Sequence, residues 1–325
     1  MNYRSFNDLH TIIQRKIDII PSDVDMIVGV PRSGLLVASI LSLLLNKQLT
    51  DLNGLLENRI ISNGNTKNQA AFLTKCSDAK SILVVEDSVS SGQSILECKK
   101  RVEDCLFLKD STVKYCAIYV APDKKDLVDY FFEIVDTPRL FEWNIFHHKI
   151  IEKSCFDIDG VLCRDPSSEE NDNGVKYKQF LTNVTPKILP SRKIGAIVTS
   201  RLKEYENETV SWMEKNHVRY GELVMMDCSF EERRKKANHG AFKAYYYKKS
   251  DYVLFVESDE NQAIEINNIS GKPVYCTSSG SFYDGNRIYK IKNEKRCLRR
   301  IRRLIKKIPG VMWLRKRLKK KAKQE

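Results

Sequence analysis

The stretch Ser81-Ile-Leu-Val-Val-Glu-Asp-Ser-Val-Ser-Ser-Gly-Gln-Ser94 constrains the fold more than any other part of the chain. Its apolar run, residues 82–85, predicts a buried strand that ends in the two acids Glu86 and Asp87. Small residues 88–94 then predict a turn before the helical pattern Ile95-Leu96-Glu97. Such a turn would aim backbone N–H groups and hydroxyls of Ser90, Ser91, Gly92, Gln93 and Ser94 at one point ahead of a helix N-terminus. Donors and helix dipole together stabilise a phosphate there. Glu86 and Asp87 cannot bind phosphate, but they can accept hydrogen bonds from vicinal sugar hydroxyls or hold Mg²⁺. The combination suits a ribose 5-phosphate.

With its hydrophobic strand, two acids, and small residues around a Gly closing on a Ser, the stretch resembles the phosphoribosyl-pyrophosphate (PRPP) loop of type I phosphoribosyltransferases. Upstream, Met26-Ile-Val-Gly-Val-Pro-Arg-Ser-Gly34 reads as a short strand entering a turn, followed by an apolar helix over residues 35–45. The Arg32 fork can meet pyrophosphate oxygens, and Ser33 and Gly34 offer N–H groups. Alone this turn says little; with the Glu86-Asp87 loop downstream it is similar to that family's pyrophosphate loop. The resemblance also implies a loop closing over the donor between residues 57 and 75, with Arg59 and Lys67 as contacts. Purine-salvage members carry an Asp where this chain has Ser90, which turns the expectation away from a purine acceptor. Residues 5–20 read as a packing helix, and 113–120 and 130–135 as further strands. Strands alternating with helices predict a mainly parallel sheet with its ligand at the strands' carboxyl ends, assigned to residues 1–136.

Residues 137–153 read as a connector packing its aromatics; the adjacent His147 and His148 lack a third ligand at metal spacing. A second domain is expected over 154–292. Ser154-Cys-Phe-Asp-Ile-Asp-Gly-Val-Leu162 places Asp157 and Asp159 just past a short strand, where they can bracket Mg²⁺ and a substrate phosphate. One carboxylate could attack phosphorus while the other protonates the leaving oxygen. The stretch resembles motif one of the haloacid-dehalogenase superfamily, which implies Asp157 as nucleophile and Asp159 as acid/base. It further implies Thr199 as the hydroxyl holding the phosphoryl oxygen and Lys243 as the neutralising cation, with Lys248 and Lys249 as competitors. Glu257 and Asp259 complete the implied Mg²⁺ set with Asp157 and Asp159, although the spacing Glu-Ser-Asp departs from the family's adjacent acids. The polar insertion of about 30 residues before Ile194 is too loop-like for a large cap, leaving room for a substrate larger than a nucleotide.

At 325 residues and 42% hydrophobic, the chain can hold two cores. The expected class is α/β: two doubly wound, mainly parallel domains, transferase-like and then dehalogenase-like, plus a basic amphipathic helix in the tail 293–325. Nine scattered cysteines without a CxxC pair argue against zinc or a disulfide framework. No early stretch has the length of a membrane span or the layout of a signal peptide, so a cytoplasmic location is expected. The net charge of +13 is local: residues 295–325 carry 15 Lys and Arg against one Glu, leaving the rest near neutral. Leu298, Ile301, Leu304, Ile305 and Ile308 mark an apolar stripe there, and Trp313 follows a Pro-Gly break. Residues 297–320 suit an anionic inner-leaflet surface; nucleic acid is the rival partner. The expected activity is 5-phosphoribosyl transfer from PRPP, with Mg²⁺, to a lipid-linked glycan acceptor. Removal of the 5-phosphate would then leave ribofuranose, as in the paired modules of bacterial polysaccharide synthesis that the chain resembles. Nucleobase salvage with nucleotide dephosphorylation, and an RNA-binding PRPP sensor, are the alternatives.

Overall fold

A computed structural model describes residues 1–61, 73–236 and 238–284. Lys67 and the basic tail lie outside the described residues. The chain divides into two compact units, residues 1–144 and 145–325.

In the first unit, strand β1 (Asn2–Arg4) leads into helix α1 (Phe6–Arg15), which opens on a capping box. Asp8 N donates to the Ser5 hydroxyl, and Ser5 N donates to the Asp8 carboxylate, satisfying two donors that the first turn leaves free. Then come β2 (Met26–Gly29), α2 (Ser33–Leu45), β3 (Gln48–Asp51), α3 (Leu52–Leu56), β4 (Ser81–Val89), α4 (Gln93–Glu103), β5 (Thr112–Val120), β6 (Tyr130–Ile134) and β7 (Arg139–Phe141). Among the described residues, five parallel strands form one sheet in the order β3-β2-β4-β5-β6. Side chains alternate between its faces. Ile82 and Val84 enter one core with Ile95, Cys98 and Val102 of α4. Leu83 and Val85 enter the other with Leu9 and Ile13 of α1 and Val37 and Leu41 of α2.

Two sequence expectations change here. β4 does not end at the acids: Glu86, Ser88 and Val89 stay paired to Ala117, Tyr119 and Val120, so the turn shrinks to Ser90-Ser91-Gly92 and Gln93 and Ser94 open α4. The neighbouring strand β5 offers its backbone that far, and the ladder continues through polar residues. Part of the connector is also strand, because β7 pairs in parallel with β1, Tyr3 opposite Leu140. Three-residue strands carry no readable periodicity, which hides both from a sequence reading.

The second unit contains β8 (Ser154–Phe156), α5 (Val175–Asn183), β9 (Ile194–Leu202), α6 (Glu206–Lys215), β10 (Tyr220–Met226), α7 (Phe230–Lys236), α8 (His239–Lys249), β11 (Leu254–Glu257), α9 (Glu260–Ser270), β12 (Val274–Cys276) and β13 (Ser281–Tyr283). Among the described residues its sheet runs β10-β9-β8-β11-β12-β13, parallel except for β13. β8 sits centrally, so whatever follows Phe156 emerges mid-sheet at the strands' carboxyl ends, where open α/β sheets place ligands. The insertion before β9 is more ordered than its composition suggests. Its helix α5 lies against α6, Tyr177 meets Tyr205 edge to face, and Trp212 Nε1 donates to Val184 O at 2.6 Å. No helix among the described residues is long and apolar enough to cross a membrane.

Candidate active sites

In the first unit, two loops meet at the carboxyl ends of β2 and β4. Gly34 makes the approach possible: a Cβ there would lie 2.7 Å from Val85 O and 3.2 Å from Glu86 Cα. The Pro31-Arg32 peptide is cis, Arg32 is exposed, and Ser33 hydrogen-bonds the Asp87 carboxylate. Glu86 and Asp87 point to opposite faces of β4. Asp87 is 6% exposed and accepts from Trp143 Nε1 at 2.8 Å. Burial raises its carboxyl, while Trp143, Ser33, Ser88 N and the Arg139 charge oppose the rise. Glu86 faces α4, where Ser94 Oγ donates to Oε1 at 2.9 Å and Oε2 is buried with no partner. Burial pushes Glu86 up to about 7, Ser94 opposing and Asp87 adding to the shift. An orphaned carboxylate oxygen beside a small-residue turn is an acceptor awaiting a hydroxyl.

The turn itself is shaped by Gly92. It adopts φ +85°, and a Cβ there would lie 2.3 Å from Leu127 Cδ1. From this position it starts α4, whose first amides have no acceptor within the helix. Ser90, Ser91, Gln93 and Ser94 are exposed around it, as a phosphate cradle requires. Gln93 side-chain Nε2 donates to Glu97 and its backbone N to Ser91 Oγ. Arg59 is exposed and pairs loosely with Glu57 at 3.4 Å.

In the second unit, Lys243 from α8 is buried and spends all three ammonium protons: on Asp157 Oδ2 at 2.6 Å, Glu257 Oε2 at 2.7 Å and Gln262 Oε1 at 3.0 Å. Burial would lower its pKa, but the charges of Asp157 and Glu257 outweigh that and raise it. Two carboxylates on one ammonium leave a surplus negative charge. Burial raises the Glu257 carboxyl, Lys243 opposing and Asp157 adding to the rise. Glu257 Oε1 accepts from Ser258 N and Asp259 N. Lys248 and Lys249 are exposed on the last turn of α8, away from these contacts.

Asp159 is held by a fully buried arginine. Arg201 donates Nε to Oδ2 at 3.1 Å and Nη2 to Oδ1 at 2.6 Å. Burial alone would raise the Asp159 carboxyl, but the Arg201 charge and hydrogen bonds hold it below the usual range. Thr199 is buried, its hydroxyl accepting from Arg201 N at 3.3 Å. Asp259 caps α9 by accepting from Gln262 N at 2.8 Å. Asp157, Asp159, Glu257 and Asp259 all line one pocket of about 600 Å³, together with Lys187 and Arg164. Gly160 turns the chain at φ +75°, where a Cβ would collide with Ser258 Oγ.

Residues 2–150 match the family model of the phosphoribosyl transferase domain. This match supports a transferase that draws on PRPP, and it ends close to the boundary between the two units. Similar solved structures include the Helicobacter pylori xanthine-guanine-hypoxanthine phosphoribosyltransferase, 17% identical over 44% of this chain and 92% of that one, with a TM-score of 0.33. A purine phosphoribosyltransferase from Pyrococcus horikoshii gives 17%, 44%, 92% and 0.31 in the same order. The adenine phosphoribosyl transferase of Trypanosoma brucei, solved with AMP, pyrophosphate and ribose-5-phosphate, gives 12%, 39%, 64% and 0.25. No curated protein matches the chain.

The first unit therefore gathers Arg32, Ser33, Gly34, Glu86, Asp87 and the turn 90–94 at two strand-to-helix junctions. Beyond it, the carboxylates expected to bind Mg²⁺ share a pocket but not a ready-made cage. Among the described residues no three His, Cys, Asp or Glu side chains converge on one point. Arg201, Lys243 and the cap of α9 each hold one or two of them. The donor set of Asp157 and Glu257 nonetheless fits a divalent cation, since both present hard oxygens and together exceed the charge of Lys243. Sequence reasoning missed Arg201, Gln262 and Trp143 as partners of these acids. Thr199 and Arg201 are two apart on β9, and that same-face spacing was the signal available for Arg201.

Proposed function

We propose that the chain transfers the 5-phosphoribosyl group of PRPP to an acceptor in its first unit and hydrolyses the 5-phosphate in its second. The observation that carries this reading is one chain bearing both a small-residue strand-to-helix turn beside an orphaned carboxylate oxygen, Glu86 Oε2, and a buried Asp157–Lys243–Glu257 centre. In the transfer, the acceptor hydroxyl oxygen bonds to ribose C1 as the C1–O bond to pyrophosphate breaks, and the hydroxyl proton passes to the departing pyrophosphate. Glu86 and Asp87 hold the ribose hydroxyls, the 90–94 turn holds the 5-phosphate, and Arg32 takes up charge growing on the departing pyrophosphate.

In the hydrolysis, the Asp157 carboxylate attacks phosphorus and the ribose O5 leaves; water then releases phosphate from the aspartyl group. Lys243 fixes the Asp157 carboxylate and offsets the charge that gathers around it. Asp159 lies within the same pocket to protonate O5, a role that requires the Arg201 fork to turn from Asp159 to the incoming phosphate. Asp157 and Glu257 would hold Mg²⁺, which would neutralise the substrate phosphate. This half of the reading rests on the sheet order, the central position of β8 and the resemblance of the Asp157-Ile-Asp159-Gly160 stretch to the haloacid-dehalogenase motif.

The acceptor we favour is a lipid-linked glycan, so that the product carries ribofuranose. The support is the packing of the insertion's α5 against α6 and the polar pocket of about 600 Å³. The basic stripe of residues 297–320 points the same way. The test is the mass of product formed from PRPP, Mg²⁺ and a lipid-linked glycan extract, by wild type and Asp157→Asn. Wild type should leave plain ribose, and the variant should accumulate phosphoribose on the same glycan. Consumption of a free nucleobase, with the glycan untouched, would replace the reading by nucleobase phosphoribosylation.

A further inference from the structure

The last residues of the first unit reach back to both donor loops. Glu142 accepts from Phe6 N at 2.8 Å and so ties this segment to the start of α1. The Trp143 ring stacks on Phe141 at 5.0 Å between centroids and 13° between planes, and lies 6.2 Å from the Tyr119 ring. This packing aims its Nε1 at Asp87 Oδ2, 2.8 Å away. The next residue, Asn144, accepts from Arg32 Nη2 at 3.2 Å through Oδ1. Two adjacent side chains thus engage the acid of one loop and the cation of the other. Neither belongs to the motifs that announce the site.

Resting on the phosphoribosyl-transfer reading above, we propose that Trp143 and Asn144 are positioning residues that preset the PRPP site. Trp143 fixes the Asp87 carboxylate for the ribose hydroxyls, and Asn144 holds the Arg32 fork until pyrophosphate takes it over. The physical case is one of order. An aspartate carboxylate can rotate about its side-chain bonds, and the N–H of a ring clamped by its neighbours, acting with the Ser33 and Ser88 contacts, selects one rotamer. An exposed arginine has many rotamers, and a neutral amide oxygen restrains them with a bond weak enough for pyrophosphate to displace. The two contacts also divide the ligand between them, and this division makes the proposal testable.

Calorimetric titration of the full chain, with Mg²⁺, uses three probes: PRPP, ribose 5-phosphate and inorganic pyrophosphate. Trp143→Phe keeps an aromatic ring and deletes the N–H. It should weaken PRPP and ribose 5-phosphate about tenfold and leave pyrophosphate unchanged. Asn144→Asp puts a carboxylate on Arg32 in competition with the ligand. It should weaken PRPP and pyrophosphate about tenfold and spare ribose 5-phosphate. A purely structural role would lower all three affinities together, and that result, or no change in any, overturns the proposal. Asn144 is half-exposed, so Asn144→Asp decides the matter alone if Trp143→Phe does not fold. Wild type that binds none of the probes would instead overturn the transfer reading, an outcome distinct from unchanged variants of a binding-competent protein.

Discussion

Glu86 is the residue whose chemistry depends most on what fills the donor site. Its carboxyl is raised to about 7 by burial, so in the unliganded fold it holds its proton below about pH 7 and is ionised above. The stability contributed by that proton is present below the group's ordinary pKa and is lost as pH rises through about 7. On the transfer reading, ribose hydroxyls donating to Oε2 would stabilise the anion, so PRPP binding should release a proton. Affinity for PRPP should therefore climb between about pH 6 and about pH 8 more steeply in wild type than in Glu86→Gln. The phosphates of PRPP titrate identically against both proteins, so the difference between the two titration curves isolates Glu86. Identical slopes would place the carboxylate outside the ribose site. At this scale the sequence made the acids legible but not their partners. Glu86 and Asp87 stand out as charges after an apolar run, whereas Trp143 lies 56 residues from the Asp87 it binds. Arg201 is hidden for a similar reason, because only the β8–β9 pairing brings it to Asp159.

Among the elements, the two strand-to-helix junctions of the first unit depend on glycines that no other residue replaces cheaply. Gly34→Ala would press a methyl into the backbone of β4, at Val85 O and Glu86 Cα, and force the junctions apart. Gly92→Ala would add strain at φ +85° and a collision with Leu127. Each substitution should cost about 1–3 kcal/mol in chemical denaturation and weaken PRPP binding at least tenfold. The far end of α9 is the control: Gly271 has φ +71° but open space where its Cβ would lie. Gly271→Ala should thus lose about 1 kcal/mol of stability with PRPP affinity intact. The junctions could be read from sequence because an apolar run followed by small residues has few alternative structures. The length of β4 could not, since Ser88 and Val89 are held as strand by β5 rather than by their own propensity.

For the molecule as a whole, two units with separate cores should unfold in separable steps. Saturating PRPP with Mg²⁺ should raise only the transition of the first unit, by about 2.7 kcal/mol at a hundredfold excess over Kd. Lys243→Met should lower only the other, by about 3–5 kcal/mol, because Asp157 and Glu257 lose their shared buried cation. Differential scanning calorimetry reads both, and a single transition moved by both changes would mean that the units fold as one. The transferase part was legible because one motif announces it, and the family model matches it over residues 2–150. The boundary was not, because residues 139–144 resemble a linker in composition and act as part of the first unit.

The pairing of β1 with β7 also bears on how the protein is made. It joins residues 2–4 to residues 139–141, the first and last strands of the unit, so the nascent chain cannot close this ladder until its final strand has left the ribosome. The same emerging segment delivers Trp143 to Asp87. By then the ribosome, whose exit tunnel holds tens of residues, is already translating the second unit. A polypeptide interrupted before that point carries the donor motifs without the segment that orders them. On the transfer reading, translation would thus withhold a finished donor site from any chain that has not begun its second unit.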